Sequence, residues 1–581
     1  MTWWLLQRSR LSNEKERLAT LEGSVDWLQV TKWHANSDLS MCVDFGIVNG
    51  GDRYAMQMIY PSVYPDAPPM VFTEDRIRLS GHQYGADGEL CLEHRPDNWR
   101  QSITGADMVA SCHRLLAEEH PEKDRIVHAR SAHTASLGRD LRSEVLRLVI
   151  TASDVDALNL LPEHVGYKLL LKQRFVAVSA IATISTIGEK DAPVWTSDLV
   201  LPEGTAEVGG VVVRAPEVRK GGTITVPDLC LLLDGMKLDE LRRKLVETDQ
   251  AIRLLIGDGS DWRLVWLYGE RTDRKLYQFV TVQIPATTTR VPDSFERLRA
   301  RKAGIVGCGS IGSKVAAGLC RSGLAEFLLI DEDIFFPGNV VRNELDLRSI
   351  GTHKAYAVRE RLLQINPRCE VNTLRISLGG QESAASMAGA LEALGQCDLL
   401  IDATADPRAF NLIASVSIRT KTPMIWCQVF GGGIGGLIAR ARPDIDPTPS
   451  AARDQIQVWC EDQGVNWVGA SAESDYDVEV GEGTPMIADD AEVSIMAAHT
   501  ERFAIDLLVN PEGSIFPSSA YLIGLSSEWI FKQPFDTAPI ALCAAGRWGE
   551  VIDPFSAEDM IQLLNEHLPQ RDEADGSNRP E

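Results

Sequence analysis

Gly304–Lys314 reads GIVGCGSIGSK, and the architecture of the C-terminal half turns on how this stretch is read. Gly307, Gly309 and Gly312 spell G-x-G-x-x-G. Apolar Ile305 and Val306 precede them, and Val315, Ala316, Leu319 and Cys320 follow at helical spacing. The pattern predicts strand, tight turn and helix. Glycines let the backbone approach a phosphate there, and the helix N-terminus offers free N–H groups and a partial positive charge. The motif alone leaves NAD, FAD and ATP open. It is not a Walker A loop, because Ser313-Lys314 stands where Lys-Ser would be required.

The residues further along narrow the choice. Asp331 closes the apolar run EFLLID, about 20 residues past the loop, where an acidic group meets a ribose hydroxyl in NAD and ATP sites alike. The next segment, DEDIFFPGNVVRNELDLRSIGTHKA, supplies Asp333, Asn339, Arg342, Asn343 and Lys354. A hydride-transfer enzyme needs an apolar slot at this place. Cations and amides suit a triphosphate whose charge must be held during attack on the α-phosphorus. LLIDATADPR then puts Asp402 and Asp406 at the end of another strand, where a carboxylate can hold Mg²⁺ bridging phosphates. Taken singly, Arg342 and Lys354 read as well as surface charges, and Asp406 as a helix cap; it is the ordered set that favours a nucleotide. The apolar runs AGIVG, EFLLID, CEVNTLRI, CDLLIDAT and PMIWCQVF alternate with helical segments from about 291 to 560, which predicts a parallel, doubly wound sheet.

This ordered set resembles the adenylating domain of ThiF, MoeB and the ubiquitin-activating enzymes, beginning at Ala303 and following the Gly-rich loop, the D-x-D strand end, the N-x-x-R step and the G-x-x-K-A helix start. The resemblance implies ATP and Mg²⁺, with Asp331 on the ribose, Arg342 and Lys354 on the phosphates, and Asp406 on the metal. The family reads D-x-T-D where this chain reads DATAD, so the extra alanine makes Asp402 the alternative metal ligand. Many relatives carry two C-x-x-C zinc pairs; this chain has none, and no zinc is expected. The implied reaction adenylates the C-terminal carboxylate of a protein and hands the acyl group to a cysteine. Cys460, in QVWCEDQGVNWVG, is similar to the C-x-x-x-G step of the family's crossover loop and is expected in a loop. Cys543, in IALCAAGRWG, is the rival, with apolar flanks that read as core. Cys308 reads as a small filler inside the phosphate loop.

The N-terminal block has its own pattern. An amphipathic helix from Leu11 to Leu21 leads into strand-like runs WLQVTKWH, SMCVDFGIV and RYAMQMIY, a proline-rich turn, a loop with Cys91, and a helix from Ala106 to Glu119. Tyr64-Pro65, Pro68-Pro69, His82, Gly88, Leu90-Cys91-Leu92, Trp99 and Thr104 together resemble the catalytic region of ubiquitin-conjugating enzymes. That likeness implies an α+β fold and an acyl-accepting thiol at Cys91. His82-Gln83-Tyr84 stands where the family has His-Pro-Asn, so the oxyanion-steadying asparagine is missing, with Asn98 or a backbone N–H as substitutes.

The whole chain bounds these readings. Its 581 residues allow about three to five domains. The expected division is a conjugating-like domain over 1–150, a linker domain over 151–290, where Gly-rich turns are expected at EVGGVVV and RKGGTITV, an adenylating domain over 291–565, and a disordered polar tail over 566–581. A net charge of −24 argues against nucleic acid as a partner. No apolar run is long enough for a membrane span, and the start turns charged too soon for a signal peptide. Eleven scattered cysteines fit reduced cytoplasmic thiols.

Activating and conjugating patterns on one chain resemble bacterial fusion enzymes of antiphage operons, the ubiquitin-transferase-like components of CBASS. The likeness implies that the donor is the C-terminus of a cGAS-like nucleotidyltransferase and the acceptor an amine on a target protein. A homodimer is expected from the ThiF likeness, with Arg297, Arg299 and Arg301 as candidates to reach the neighbouring site. Sulfur transfer of the ThiF type, activation of a dedicated ubiquitin-like protein, and a scaffold with a decayed conjugating domain are the alternatives.

Overall fold

The computed structural model describes residues 2–77, 79, 82–84, 88–120, 145–199, 205–218, 224–284, 291–430, 433–464, 488–550 and 556–568. The chain divides into two compact units, Met1–Ser143 and Glu144–Glu581.

In the first unit α1 (Arg8–Ser24) leads into a four-stranded antiparallel sheet taken in chain order, β1 (Leu28–Ala35), β2 (Met41–Asn49), β3 (Asp52–Tyr60) and β4 (Met70–Thr73), and α2 (Gly105–Glu119) follows a long irregular segment. The β2–β3 hairpin turns on Gly50 and Gly51, both at positive φ, as a two-residue turn of matching twist requires. Buried Glu14 on α1 ties the unit together. Its carboxylate pairs with Arg10 at 3.0 Å, accepts from the Tyr60 hydroxyl at 3.1 Å and from the Gly105 N–H at 2.7 Å, and is also bonded by the Tyr64 hydroxyl. A fully buried carboxylate is tolerable only when so completely partnered. Gly105 is obligatory at this point, because a Cβ would lie 2.0 Å from the Tyr60 hydroxyl. Arg10 also donates to the carbonyls of Gln101 and Ile103, and Trp99 Nε1 to that of Pro65. The chain on both sides of Cys91 is thereby anchored.

The second unit opens with a nine-stranded mixed sheet between Leu146 and Gln283. Leu146–Ile150 belongs to it, pairing in parallel with Ser179–Glu189 and Val280–Gln283. EVGGVVV, expected as a turn, is the interior of the strand Ala206–Arg214. Gly210 is there for close approach: a Cβ on it would sit 2.7 Å from the Arg253 carbonyl oxygen of the neighbouring strand, whereas one on Gly209 would meet nothing within 4 Å. Most of RKGGTITV lies outside the described residues.

The rest of the unit is built on an eight-stranded sheet. Its elements include β5 (Lys302–Val306), α3 (Ser310–Ser322), β6 (Glu326–Ile330), α4 (Lys354–Ile365), β7 (Glu370–Leu374), β8 (Leu399–Asp402), α5 (Pro407–Thr420), β9 (Met424–Val429), β10 (Gly435–Ala441), α6 (Pro449–Asp462), α7 (Asp490–Val509), β11 (Ala520–Gly524), β12 (Thr537–Ile540) and α8 (Ala557–His567), with a further helix, Ala384–Leu394, between β7 and β8. The order is β7-β6-β5-β8-β9-β10-β11-β12. The first five strands are parallel, as the alternating pattern predicts, and carry all five expected apolar runs. The sheet departs from the expected all-parallel form at one edge, where β10, β11 and β12 run antiparallel. Helices α3, α4 and α7 cover one face and α5 and α6 the other, so every residue of β8 is buried. After β5 the chain moves first to β6 and β7 on one side and then returns to β8 on the other. That reversal opens a crevice at the carboxyl ends of β5 and β8. The tail expected from 566 starts, in the described residues, inside the last turn of α8; 569–581 lie outside them.

Candidate nucleotide site and thiols

The three loop glycines do different jobs. Gly307 sits at φ +88°, and a Cβ there would meet the Ala403 carbonyl oxygen at 2.8 Å; a Cβ on Gly312 would lie 1.8 Å from the Gly307 carbonyl oxygen. Those two allow the turn and the packing of α3 beneath it. Gly309, the N-cap of α3, faces open space, with nothing within 4 Å of a built Cβ. The backbone is bare at the one place where a phosphate would approach the helix N-terminus.

A continuous chain of polar contacts runs outward from the loop. The Cys308 N–H donates to Asp331 Oδ2 at 2.7 Å, and the Asp333 N–H to Asp331 Oδ1 at 2.9 Å. Lys354 Nζ donates to Asp333 at 2.6 Å, and its backbone N–H reaches the Asp333 carbonyl at 2.8 Å. Burial raises the Asp331 carboxyl above its ordinary range, against the pull of the Cys308 N–H and of Lys354, while burial also pushes the Cys308 thiol up. Lys354 stands at the first position of α4, where the helix dipole disfavours a cation. Asp333 offsets this locally unfavourable charge. Asn343 donates to the Cys308 carbonyl at 3.4 Å and accepts from the Leu345 N–H, bracing the loop. Asn339 is turned away, accepting from the Phe336 N–H at 2.8 Å.

Two more cations converge on the start of α7. Arg342 donates to the Ala488 carbonyl at 3.2 Å, and Lys314 pairs with Asp490 at 2.8 Å. Lys314 is a residue that the sequence reading passed over. Its position two residues beyond Gly312, on the phosphate-loop helix, was the available signal.

The two candidate metal ligands differ sharply. Asp402 ends β8, beside Val306 in the sheet, and is buried, accepting at Oδ1 from the Thr404 N–H and hydroxyl at 3.0 and 2.6 Å. Burial raises its carboxyl. Asp406 instead caps α5, accepts from the Arg408 N–H at 2.7 Å and is paired with the Arg408 guanidinium at 2.8 Å, which holds its carboxyl low. The additional alanine, Ala405, takes a left-handed φ of 58°, and this turn carries Asp406 onto the helix. Among the described residues no three His, Cys, Asp or Glu side chains form a metal cage. The donor set fits a hard cation held by one carboxylate and completed by phosphate oxygens and water.

The thiols fall out differently from the sequence reading. Cys460 lies on α6 rather than in a loop, fully buried among Ile456, Ala452 and Leu437, and burial pushes its thiol up to about 11. Cys543 is exposed rather than core. Its apolar flanks pack elsewhere, while the Gln455 side chain of α6 accepts from its N–H and donates to its carbonyl. The segment 465–487, which follows Cys460, lies outside the described residues. Of the three arginines considered for a dimer contact, Arg297 donates to the Val509 carbonyl at 2.8 Å, Arg301 pairs with Asp398 at 2.8 Å and Arg299 with Glu296 at 3.1 Å, all within this chain.

In the first unit Cys91 is half-buried, its N–H bonded to the His82 carbonyl at 2.7 Å. Arg95 Nη1 lies 3.4 Å from Cys91 Sγ. Asn98, the proposed stand-in for the missing asparagine, is committed to the loop: its Oδ1 accepts from the Arg95 N–H at 2.7 Å and its Nδ2 donates to the Glu93 carbonyl at 2.8 Å. Gln83 is buried and laces the chain to Gly88 and Leu79.

Residues 283–444 match the ThiF family, and this part of the chain is a ThiF-type Rossmann-like α/β adenylating domain. Three similar proteins illustrate its surroundings. An uncharacterized protein, y4qC, of Sinorhizobium fredii is 26% identical over 431 residues, covering 68% of this chain and 72% of that one. The ATP-dependent ubiquitin transferase-like protein Cap2 of Enterobacter hormaechei is 30% identical over 124 residues, 21% of this chain and 20% of that one. A probable molybdopterin-synthase adenylyltransferase of Porphyra purpurea is 33% identical over 136 residues, 23% of this chain and 34% of that one. This chain thus spans about a fifth and a third of those two enzymes. Among solved structures, Escherichia coli MccB with ATP aligns with a TM-score of 0.33 at 16% identity, covering 44% of this chain and 69% of that one. No helix among the described residues is long and apolar enough to cross a membrane.

Proposed function

We propose that this protein uses ATP to adenylate the C-terminal carboxylate of another protein and passes the acyl group through thioesters to an amine. The observation that carries the reading is the contact chain from Cys308 through Asp331 and Asp333 to Lys354, beside an open Gly309. The bare loop and helix N-terminus receive phosphates, Asp331 takes the ribose, and Asp333 and Asn343 frame the nucleotide, whereas Asn339, turned back onto the Phe336 N–H, holds its own turn. Arg342, Lys354 and Lys314 hold the negative charge that builds up as the carboxylate oxygen bonds to the α-phosphorus and pyrophosphate departs. Asp402, in place of Asp406, holds Mg²⁺, which when bound neutralises the phosphate oxygens.

A cysteine thiolate next displaces AMP: the C–S bond forms as the acyl–O bond breaks. Cys543 replaces Cys460 in this role, because a buried thiol raised to about 11 is neither reachable nor ionised near neutrality. Exchange of the thioester onto Cys91 costs little, and amide formation with a target amine makes the sequence irreversible. The local identity to an ATP-dependent ubiquitin transferase-like protein supports ATP-dependent transfer, and the reading places that transfer in antiviral CBASS defence with a cGAS-like nucleotidyltransferase as donor. The reading includes a cytoplasmic homodimer without nucleic-acid or membrane partners.

Non-reducing electrophoresis with ATP and the donor tests the order. Cys91→Ala is expected to retain a reducible adduct and lose all amide product, and Cys543→Ala to lose both. Amide formation by Cys91→Ala sinks the reading. Sulfur transfer is the second reading, favoured by the Porphyra match; it predicts thiocarboxylate on the donor and indifference to Cys91→Ala.

A further inference from the structure

We propose that Arg95 is a catalytic residue of the Cys91 site, supplying the charge stabilisation that an asparagine would otherwise provide. The inference rests on the thioester reading of Cys91 given above. Three observations support it. The guanidinium nitrogen Nη1 is within 3.4 Å of the sulfur, while Asp97, at 3.2 Å from Nη2, fixes the orientation of the group from its far side. The side chain is 8% exposed, so its charge acts through a poorly screening medium. The loop that presents it is rigidly laced: Asn98 bonds the Arg95 N–H and the Glu93 carbonyl, and buried Ser111 on α2 accepts from the Glu93 N–H at 2.9 Å. Asn98 serves the loop, and Arg95 serves the sulfur.

The chemistry balances without any added reagent. An amine attacks the carbonyl carbon of the Cys91 thioester, the C–N bond forms, and the carbonyl electron pair moves onto oxygen, where an Arg95 N–H can donate to it. The oxyanion then collapses, the C–S bond breaks and the electron pair returns to Cys91 sulfur, again facing the guanidinium. The proton lost by the attacking amine passes to solvent, leaving an amide and a thiolate. A planar group with several donors can serve both atoms in turn.

Alkylation of the intact protein separates this inference from the function it rests on, because it needs neither ATP nor donor. Peptide mass spectrometry would follow Cys91 modification by anionic iodoacetate and by neutral iodoacetamide. A cation beside the sulfur favours the anionic probe, so the iodoacetate-to-iodoacetamide rate ratio at Cys91 is expected to exceed that of N-acetylcysteinamide by roughly fivefold. Arg95→Gln should abolish the excess and Arg95→Lys retain part of it. A ratio equal to the small thiol's in the unaltered protein overturns the proposal even if the variants fail to fold; so does an undiminished ratio in a folded Arg95→Gln protein. With the donor present, Arg95→Gln should still accept the acyl group on Cys91 but release it to an amine roughly 100-fold more slowly. Absence of any Cys91 thioester, with the alkylation excess intact, refutes the function and leaves the charge assignment standing.

Discussion

The side-chain amide of Gln455 grips the backbone of Cys543 from both directions, accepting from its N–H at 2.7 Å and donating to its carbonyl at 2.8 Å. An exposed thiol is thereby held at a defined place on α6, the same helix that buries Cys460 one turn further on. The pairing gives the two cysteines opposite fates, and reactivity reports it. At pH 8 Cys543 should be alkylated within minutes, whereas Cys460 should react only on unfolding, being overwhelmingly protonated and enclosed. Cys460→Ala should cost about 1 kcal/mol of stability and leave the reducible adduct intact. Loss of that adduct in a folded Cys460→Ala protein would restore the buried thiol to the chemistry.

The loop glycines predict a split between folding and binding. Gly312→Ala drives a methyl into the Gly307 carbonyl and should lower the melting temperature markedly. Gly309→Ala meets no protein atom, but the backbone there, at φ −74° and ψ −149°, lies outside the regions an L-residue prefers, so its melting temperature should fall a little and far less than that of Gly312→Ala. Its affinity for ATP should nevertheless drop by at least about tenfold, since the methyl occupies the phosphate's approach. Thermal melts with and without ATP measure both effects.

Asp402 should show stability and activity in opposition. Burial raises its folded-state pKa above the unfolded value of 3.8, so the folded protein binds the proton more tightly. The protonated form's contribution is complete below pH 3.8 and lost as the pH rises through the raised value. At neutral pH the ionised carboxylate is therefore a cost, and Asp402→Asn, whose Oδ1 can still accept from Thr404, should raise the melting temperature by about 2 °C. The gain should vanish toward acid pH. Magnesium-dependent ATP–pyrophosphate exchange should be lost in the same variant, while Asp406→Asn, which keeps the cap and removes only the charge paired with Arg408, should retain it.

The three cations assigned to the triphosphate give a rate prediction. Lys354→Ala or Arg342→Ala should each reduce donor-dependent ATP–pyrophosphate exchange by about 10²–10³-fold, the usual consequence of removing one charge-stabilising group. Normal exchange in the double variant would displace the triphosphate from this crevice. Lys314→Ala should have an effect of the same sign, since Lys314, like Lys354, can exchange its carboxylate partner for a phosphate.

What the sequence determined by itself was whatever depends on neighbours along the chain. The period of apolar residues placed all five parallel strands, and the spacing of Gly307, Gly309 and Gly312 announced a turn into a helix. The antiparallel edge strands were missed because a buried apolar run does not state its direction. EVGGVVV misled because glycines that mark a turn locally also allow two strands to approach closely, and only the position of Arg253 decides between the two uses. The tertiary structure alone decided which thiol is open, which carboxylate is free of an arginine and what stands beside Cys91. Burial and ion pairing depend on segments far apart in sequence, as with Gln455 and Cys543, 88 residues from each other. Even Arg95, four residues from Cys91, becomes legible only once Asn98 and Ser111 have fixed the loop that turns it toward the sulfur.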